Sequence, residues 1–138
     1  EKTVENFENS DIAILSAAVA DYTPKSTFDN KLKKKENNLV VELVPTKDIL
    51  AELGRRKKEH QLLVGFALET DNELENAKDK LNRKNLDFIV LNSLNDKGAG
   101  FNVSTNKVTI LDAKGSVYES DLKSKYEVAL DISEKILG

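Results

Sequence analysis

The 138-residue sequence contains no cysteine, which excludes disulfides, thiolate metal sites and a cysteine nucleophile. That absence fits a cytoplasmic location, where disulfides are rare. Methionine is missing as well, the initiator included, so a piece of a longer protein is expected. No apolar run approaches the roughly 18 residues that would span a bilayer. No signal peptide is visible either, and no membrane partner is expected. The single histidine, His60, follows Lys57-Lys-Glu59 in a loop-like stretch and is expected to be exposed and without catalytic duty. A net charge of −3 argues against a general nucleic-acid binder, although a local basic patch is compatible with it.

With 39% hydrophobic and 33% charged residues, the chain can bury one core, most simply as one domain over residues 1–138. Its most informative stretch runs from Asp11 to Lys35. Ile12 to Leu15 has the length and β-branched content of a buried strand. Ser16, Ala17 and Ala18 follow, small enough for a ligand to approach the backbone, and Asp21 stands where strand should give way to loop. Ten residues on comes a lysine cluster, Lys31-Leu-Lys-Lys-Lys35. An acid and several bases near a strand end suggest a site for something anionic and metal-bound.

Elsewhere, Glu1 to Asn9 reads as the end of a helix with Val4 and Phe7 on one face. Lys31–Lys35 and Leu39–Val44, joined across Glu36-Asn37-Asn38, read as a hairpin arm. Pro45-Thr46 suggests a helix start with Thr46 as N-cap, Asp48 in the first turn, and Ile49, Leu50 and Leu53 as the apolar face; Gly54 would shorten or loosen that helix. A buried strand at Leu62–Phe66 leads to a cap at Glu69–Asn72. The helix from Asn72 to Lys84 then aligns Leu74, Ala77 and Leu81, flanked by Lys80 and Lys84. Another strand, Asp87–Leu91, ends at Asn92; a Gly-rich connection, Asp96–Gly100, leads to strands at Lys107–Leu111 and Val117–Glu119 about a turn at Asp112–Gly115. The last helix carries Leu122, Tyr126, Ala129, Leu130, Ile136 and Leu137 at near-helical spacing. Apolar strands alternating with amphipathic helices predict an α/β fold: a Rossmann-like, mostly parallel sheet with flanking helices and an extended hairpin arm. In such sheets ligands sit at the carboxyl ends of the strands, here Ser16–Asp21, Phe66–Thr70 and Asn92.

The residues Ser16-Ala-Ala-Val-Ala-Asp-Tyr-Thr-Pro-Lys25, Lys31-Leu-Lys-Lys34, Asp48-Ile49, Val64-Gly-Phe-Ala-Leu-Glu-Thr70, Ala77 with Lys80 and Lys84, and Asp87-Phe-Ile-Val-Leu-Asn92 keep one order over nearly the whole chain. Together they resemble the bacterial phosphopantothenoylcysteine synthetases, the phosphopantothenate cysteine ligases of coenzyme A biosynthesis. These are commonly fused behind a flavin-dependent decarboxylase, where FMN would belong. The resemblance implies that the carboxylate of 4′-phosphopantothenate attacks the α-phosphate of CTP with Mg2+, and that L-cysteine then displaces CMP from the acyl-cytidylate. It further implies that Leu15, Ser16, Ala17 and Asp21 line the nucleotide site, with Asp21 a candidate metal contact. Lys31 matches the catalytic lysine. Lys47, Asp48, Ile49 and Leu50 would contact the nucleotide, Phe66 would pack near base or ribose, and Lys80 and Lys84 would close the site. A homodimer through the arm is implied too. The family's glycine-rich nucleotide turn and its Asn-containing, Ser/Gly-rich loop are not in this sequence, so a portion incomplete for catalysis is expected.

Each of these residues has an ordinary structural reading. Asp21 could cap a turn, the lysine run could be a solvated edge strand, Lys80 and Lys84 could be helix-surface lysines, and Phe66 could be core. Asp96–Gly100 lacks Walker spacing and reads as a connection. Two further functions compete: a non-catalytic nucleotide-binding or dimerisation module, and a nucleic-acid binder using the lysine arm. The second would need stacking aromatics, and only Phe28 is near.

Overall fold

The computed structural model describes residues 2–33, 38–93 and 103–138. In chain order the elements are α1 (Lys2–Phe7), β1 (Ile12–Leu15), β2 (Tyr22–Pro24), β3 (Leu43–Pro45), α2 (Ile49–Arg56), β4 (Leu62–Glu69), α3 (Glu73–Arg83), β5 (Phe88–Ser93), β6 (Thr105–Asn106), β7 (Val108–Asp112), β8 (Val117–Glu119), β9 (Lys123–Ser124) and α4 (Lys125–Leu137). They fall into two compact units, Glu1–Ser16 with Ile49–Gly138, and Ala17–Asp48.

The larger unit is built on a sheet in the order β1-β4-β5-β7-β8. β1 runs parallel to β4 and β4 to β5, whereas β7 is antiparallel to both β5 and β8. The sheet is therefore mixed where a mostly parallel one was expected. Part of the reason is the turn after β7. The Asp112 carboxylate accepts the amides of Lys114 and Ser116 at 2.9 and 2.8 Å, and Gly115 takes φ 92°, so the chain reverses at once. So short a connection can only return a strand antiparallel.

Strand alternation divides the core in two. On one face Leu63, Ala67, Ile89, Leu91 and Leu111 pack with Phe7, Leu53, Ala77 and Leu81, so α1, α2 and α3 cover it. On the other, Val64, Val90, Val108 and Ile110 meet Val128, Ile132 and Ile136 of α4. Helices on both faces explain why β4 and β5 read as continuous apolar runs.

Three helix expectations need correction. Thr46 is not an N-cap: its hydroxyl donates to Ala20 O at 2.6 Å and its amide to Asp21 O at 2.8 Å, which prolongs extended structure, and α2 starts at Ile49. In α3, Ala77 and Leu81 are buried as expected, but Leu74 in the first turn is exposed. In α4 the inward stripe is Val128, Ile132 and Ile136, and Leu122, Tyr126, Leu130 and Leu137 are exposed. Side chains four apart share a helix face, and packing on the sheet selects the Val128, Ile132 and Ile136 face of a helix that the Ser124/Glu127 capping box starts.

The smaller unit is organised by β2 antiparallel to β3, with Thr23 opposite Val44. Lys25 continues the ladder, its amide donating to Glu42 O at 2.9 Å and its ammonium lying 2.7 Å from the Glu42 carboxylate. The partner of Leu43 and Val44 is thus Tyr22–Pro24, not the lysine run. Residues 31–33 and 38–42 form no strand, and the expected turn at Glu36-Asn37 lies outside the described residues. Aromatic and β-branched residues suit a pleated pair better than consecutive lysines do. Within this unit Pro24, Phe28, Leu32, Leu39 and Val41 help line a cleft of about 680 Å³.

Candidate functional site

In the larger unit the carboxyl ends of β1, β4 and β5 form one edge. Leu15, the last residue of β1, pairs with Gly65 of β4. Gly65 has no side chain because Leu50 and Leu86 occupy that space; a Cβ there would come within 2.7 Å of Leu50 Cδ2 and 2.9 Å of Leu86 Cδ1. The start of α2 therefore closes directly on the sheet. Leu15, Ile49 and Leu50, three residues singled out in the sequence, pack on the same apolar cluster. Ser16 follows β1 and is exposed. Phe66, half-buried, stands on the opposite face against the α4 cluster.

α3 supplies the cations. Lys80 Nζ lies 3.2 Å from Glu69 Oε1, at the end of β4. Lys84 closes the helix, its amide bonding to Lys80 O at 3.1 Å. Its carbonyl rests against Gly54 so closely that a Cβ on that glycine would sit 1.8 Å from the oxygen. Asn85, at φ 53°, donates its side-chain amide to Gly54 O at 2.9 Å. Gly54 thus does not loosen α2: it lets the end of α3 dock there. Alongside, Ser93 Oγ donates to Glu73 Oε1 at 2.7 Å.

In the smaller unit, Ala17, Asp21, Lys31, Lys47 and Asp48 are all exposed. Asp21 precedes β2 and fixes its backbone by accepting the Thr46 amide. Lys34 and Lys35, like the Asp96–Gly100 connection, lie outside the described residues. His60 is exposed, as expected.

Three polar contacts were not foreseen, although Asp87, Asn92 and Glu69 themselves lie in stretches the sequence reading named. Asp87 accepts Lys57 Nζ at 2.8 and 2.9 Å and the Leu63 amide at 2.7 Å, a clasp between α2, β4 and β5 at the amino end of the sheet. Asn106 donates to Asn92 Oδ1 at 2.8 Å while its own Oδ1 is buried with no partner among the described residues. The third is Glu69, eleven residues before Lys80. The Ser116 backbone amide holds the Asp112 carboxyl below its usual range, the Ser124 hydroxyl does the same for Glu127, and a hydrogen bond to Asp131 raises Lys123.

An α/β sheet with Ser16, Asn92 and the helix-borne Lys80 at its carboxyl edge has the arrangement of a ligand-binding α/β domain, whereas Lys84 ends α3 beside Gly54, toward the amino side of the sheet. The chain belongs to the family described as the DNA/pantothenate metabolism flavoprotein C-terminal domain, whose model matches residues 1–138. It is 47% identical over 136 residues to a coenzyme A biosynthesis bifunctional protein CoaBC of Bacillus subtilis, covering 99% of this chain and 33% of that protein. A protein named cysteine/cysteine sulfinic acid decarboxylase, from an unknown prokaryotic organism, is 58% identical over 137 residues, covering 99% of this chain and 38% of that one. Among solved structures, the C-terminal domain of a CoaBC protein superposes with a TM-score of 0.77 at 38% identity, over 98% of this chain and 57% of that chain. The chain thus spans about a third of the length of the curated relatives it matches.

Proposed function

We propose that this chain is the nucleotide-handling portion of a CTP-dependent phosphopantothenate cysteine ligase acting in coenzyme A biosynthesis. The observation that carries the reading is the family match over all 138 residues, coinciding with the order of motifs around Ser16–Asp21, Lys31 and Lys80–Lys84. The decarboxylase name of the 58% relative applies to a protein of which this stretch is 38%, and the name does not say which part acts on cysteine.

In the proposed reaction the carboxylate of 4′-phosphopantothenate attacks the α-phosphate of CTP, pyrophosphate leaves, and the amine of L-cysteine then displaces CMP. Negative charge grows on the α-phosphate and the departing pyrophosphate, and fixed cations stabilise it where it appears. Lys31 takes that catalytic part, and Lys80 and Lys84 close the site, Lys80 toward the outer phosphates. Leu15, Ser16, Ala17 and the segment Lys47–Leu50 offer backbone to the nucleoside, with Phe66 near base or ribose. Among the described residues no three His, Asp or Glu side chains gather as a metal cage. Magnesium fits here as the nucleotide's companion, bound mostly by phosphates with Asp21 as one protein carboxylate. FMN belongs to the decarboxylase of the fused relatives. The exposed apolar residues of the smaller unit, Val40 at 89% and Leu39 at 70%, support a homodimer through it.

The test is calorimetric titration of the chain with CTP, ATP and GTP in magnesium, repeated on Asp21→Ala and Lys31→Gln. Selective CTP binding that Asp21→Ala weakens is the expected result. Equal binding of all three, or unaltered binding by the variants, would refute it; light scattering on the same samples reads the dimer, and a monomer at high concentration would count against that part.

A further inference from the structure

The pairing of Glu69 on β4 with Lys80 on α3 is built differently from the Lys57–Asp87 clasp. Asp87 receives three hydrogen bonds of 2.7 to 2.9 Å, one from a backbone amide, and Lys57 is nearly enclosed at 12% side-chain exposure. That clasp is structural. Glu69 makes one hydrogen bond to Lys80, at 3.2 Å, longer than charge-assisted bonds usually are. It also sits at the carboxyl edge, where ligands of α/β sheets bind.

Strand alternation explains how a carboxylate comes to be there. Leu63, Gly65, Ala67 and Glu69 point to one face, and Leu63 and Ala67 are buried with Ala77 and Leu81 of α3. Glu69 is the next position in that column, above an apolar floor, with 20% of its side chain exposed. A half-desolvated carboxylate is costly unless paired. Lys80, one turn beyond Ala77 on α3, supplies the counter-charge. An arriving polyphosphate would find that ammonium already occupied by an anion of its own sign.

We propose that Glu69 is a placeholder anion and positioning residue for Lys80. Its carboxylate keeps the ammonium over the edge while the phosphate position is empty, yields it to the terminal phosphates of a bound nucleotide, and takes it back when pyrophosphate departs. The inference rests on the nucleotide-site reading above. No bond is made or broken in this exchange; one counter-ion replaces another.

The experiment titrates the chain with pyrophosphate, CTP and CMP, each with magnesium, for wild type, Glu69→Gln, Lys80→Gln and the double variant. Gln keeps the shape and an acceptor but removes the competing charge. Glu69→Gln should bind pyrophosphate and CTP tighter by on the order of threefold to tenfold, leave CMP unchanged, and lose that gain in the Lys80→Gln background. A structural pair would instead lower the melting temperature with no dependence on phosphate number, and equal or weaker pyrophosphate binding by a folded Glu69→Gln overturns the proposal. Wild type that binds none of the three ligands removes the nucleotide reading and this inference with it. Wild type that binds, with no phosphate-dependent gain, removes the inference alone.

Discussion

Replacing Gly54 by alanine sets two physical effects against each other. In the interior of a helix such as α2, alanine should stabilise by about 1 kcal/mol over glycine. Here the new Cβ would lie 1.8 Å from the Lys84 carbonyl oxygen and 2.9 Å from its carbon. A relaxed C···O contact is about 3.3 Å or more, so α2 and the end of α3 would have to part by over an ångström. The obstructing atoms are backbone and cannot swing away like a side-chain tip. Separation would also stretch the 2.9 Å bond from Asn85 to Gly54 O, worth about 1 kcal/mol, and disturb Leu53, which is fully buried. Overpacking of this kind costs about 1–3 kcal/mol or more. The net effect is a loss of roughly 1–3 kcal/mol, or a melting temperature lower by roughly 3–10 °C for a chain of this size. Thermal unfolding followed by circular dichroism, with urea titration to check that the slope is unchanged, measures it. A Gly54→Ala protein that melts at or above wild type would show that helix propensity governs this position and that the docking is not real.

Ser124→Ala removes the hydroxyl that accepts the Glu127 amide at 3.2 Å and donates to its carboxylate at 2.7 Å, so chemical denaturation should report a loss of about 1 kcal/mol. Acid should act through the same cap and through the turn after β7. Hydrogen bonds from Ser116 and Ser124 hold the Asp112 and Glu127 carboxyls below their ordinary values. Their contribution is therefore fully present above those values and is lost as pH falls through the folded ones. Melting temperature measured from pH 6 downward should hold until roughly pH 4.5 and then decline, less steeply in Asp112→Asn; a variant with the same decline as wild type would refute the assignment.

How far the fold could be read in advance depended on which interactions are local in sequence. β4 and β5 announced themselves because strands buried on both faces need apolar residues at every position. The inward face of α4 was misread for a different reason: Leu130 and Leu137 match helical spacing as well as Val128 and Ile132 do, and only the sheet decides which set turns inward. The lysine run misled for a related reason. Charged residues suit an exposed edge strand, yet suitability is not a partner, and Leu43 and Val44 found theirs in Tyr22–Pro24.

The candidate site divides along the same line. Small residues after β1 and the lysines of α3 are visible as residue types, so chemistry could be assigned to them before any geometry was known. What controls those groups lies across elements. Gly54 looks like a weak point in a short helix until the Lys84 carbonyl is found lying on it. Glu69 looks like part of a helix cap until alternation along β4 turns it toward α3 and Lys80. In both cases an unremarkable residue helps set the position of a lysine, the backbone of Lys84 in one and the ammonium of Lys80 in the other. Sequence thus names the charges at this edge, whereas contacts between α2, β4 and α3 determine where those charges are delivered.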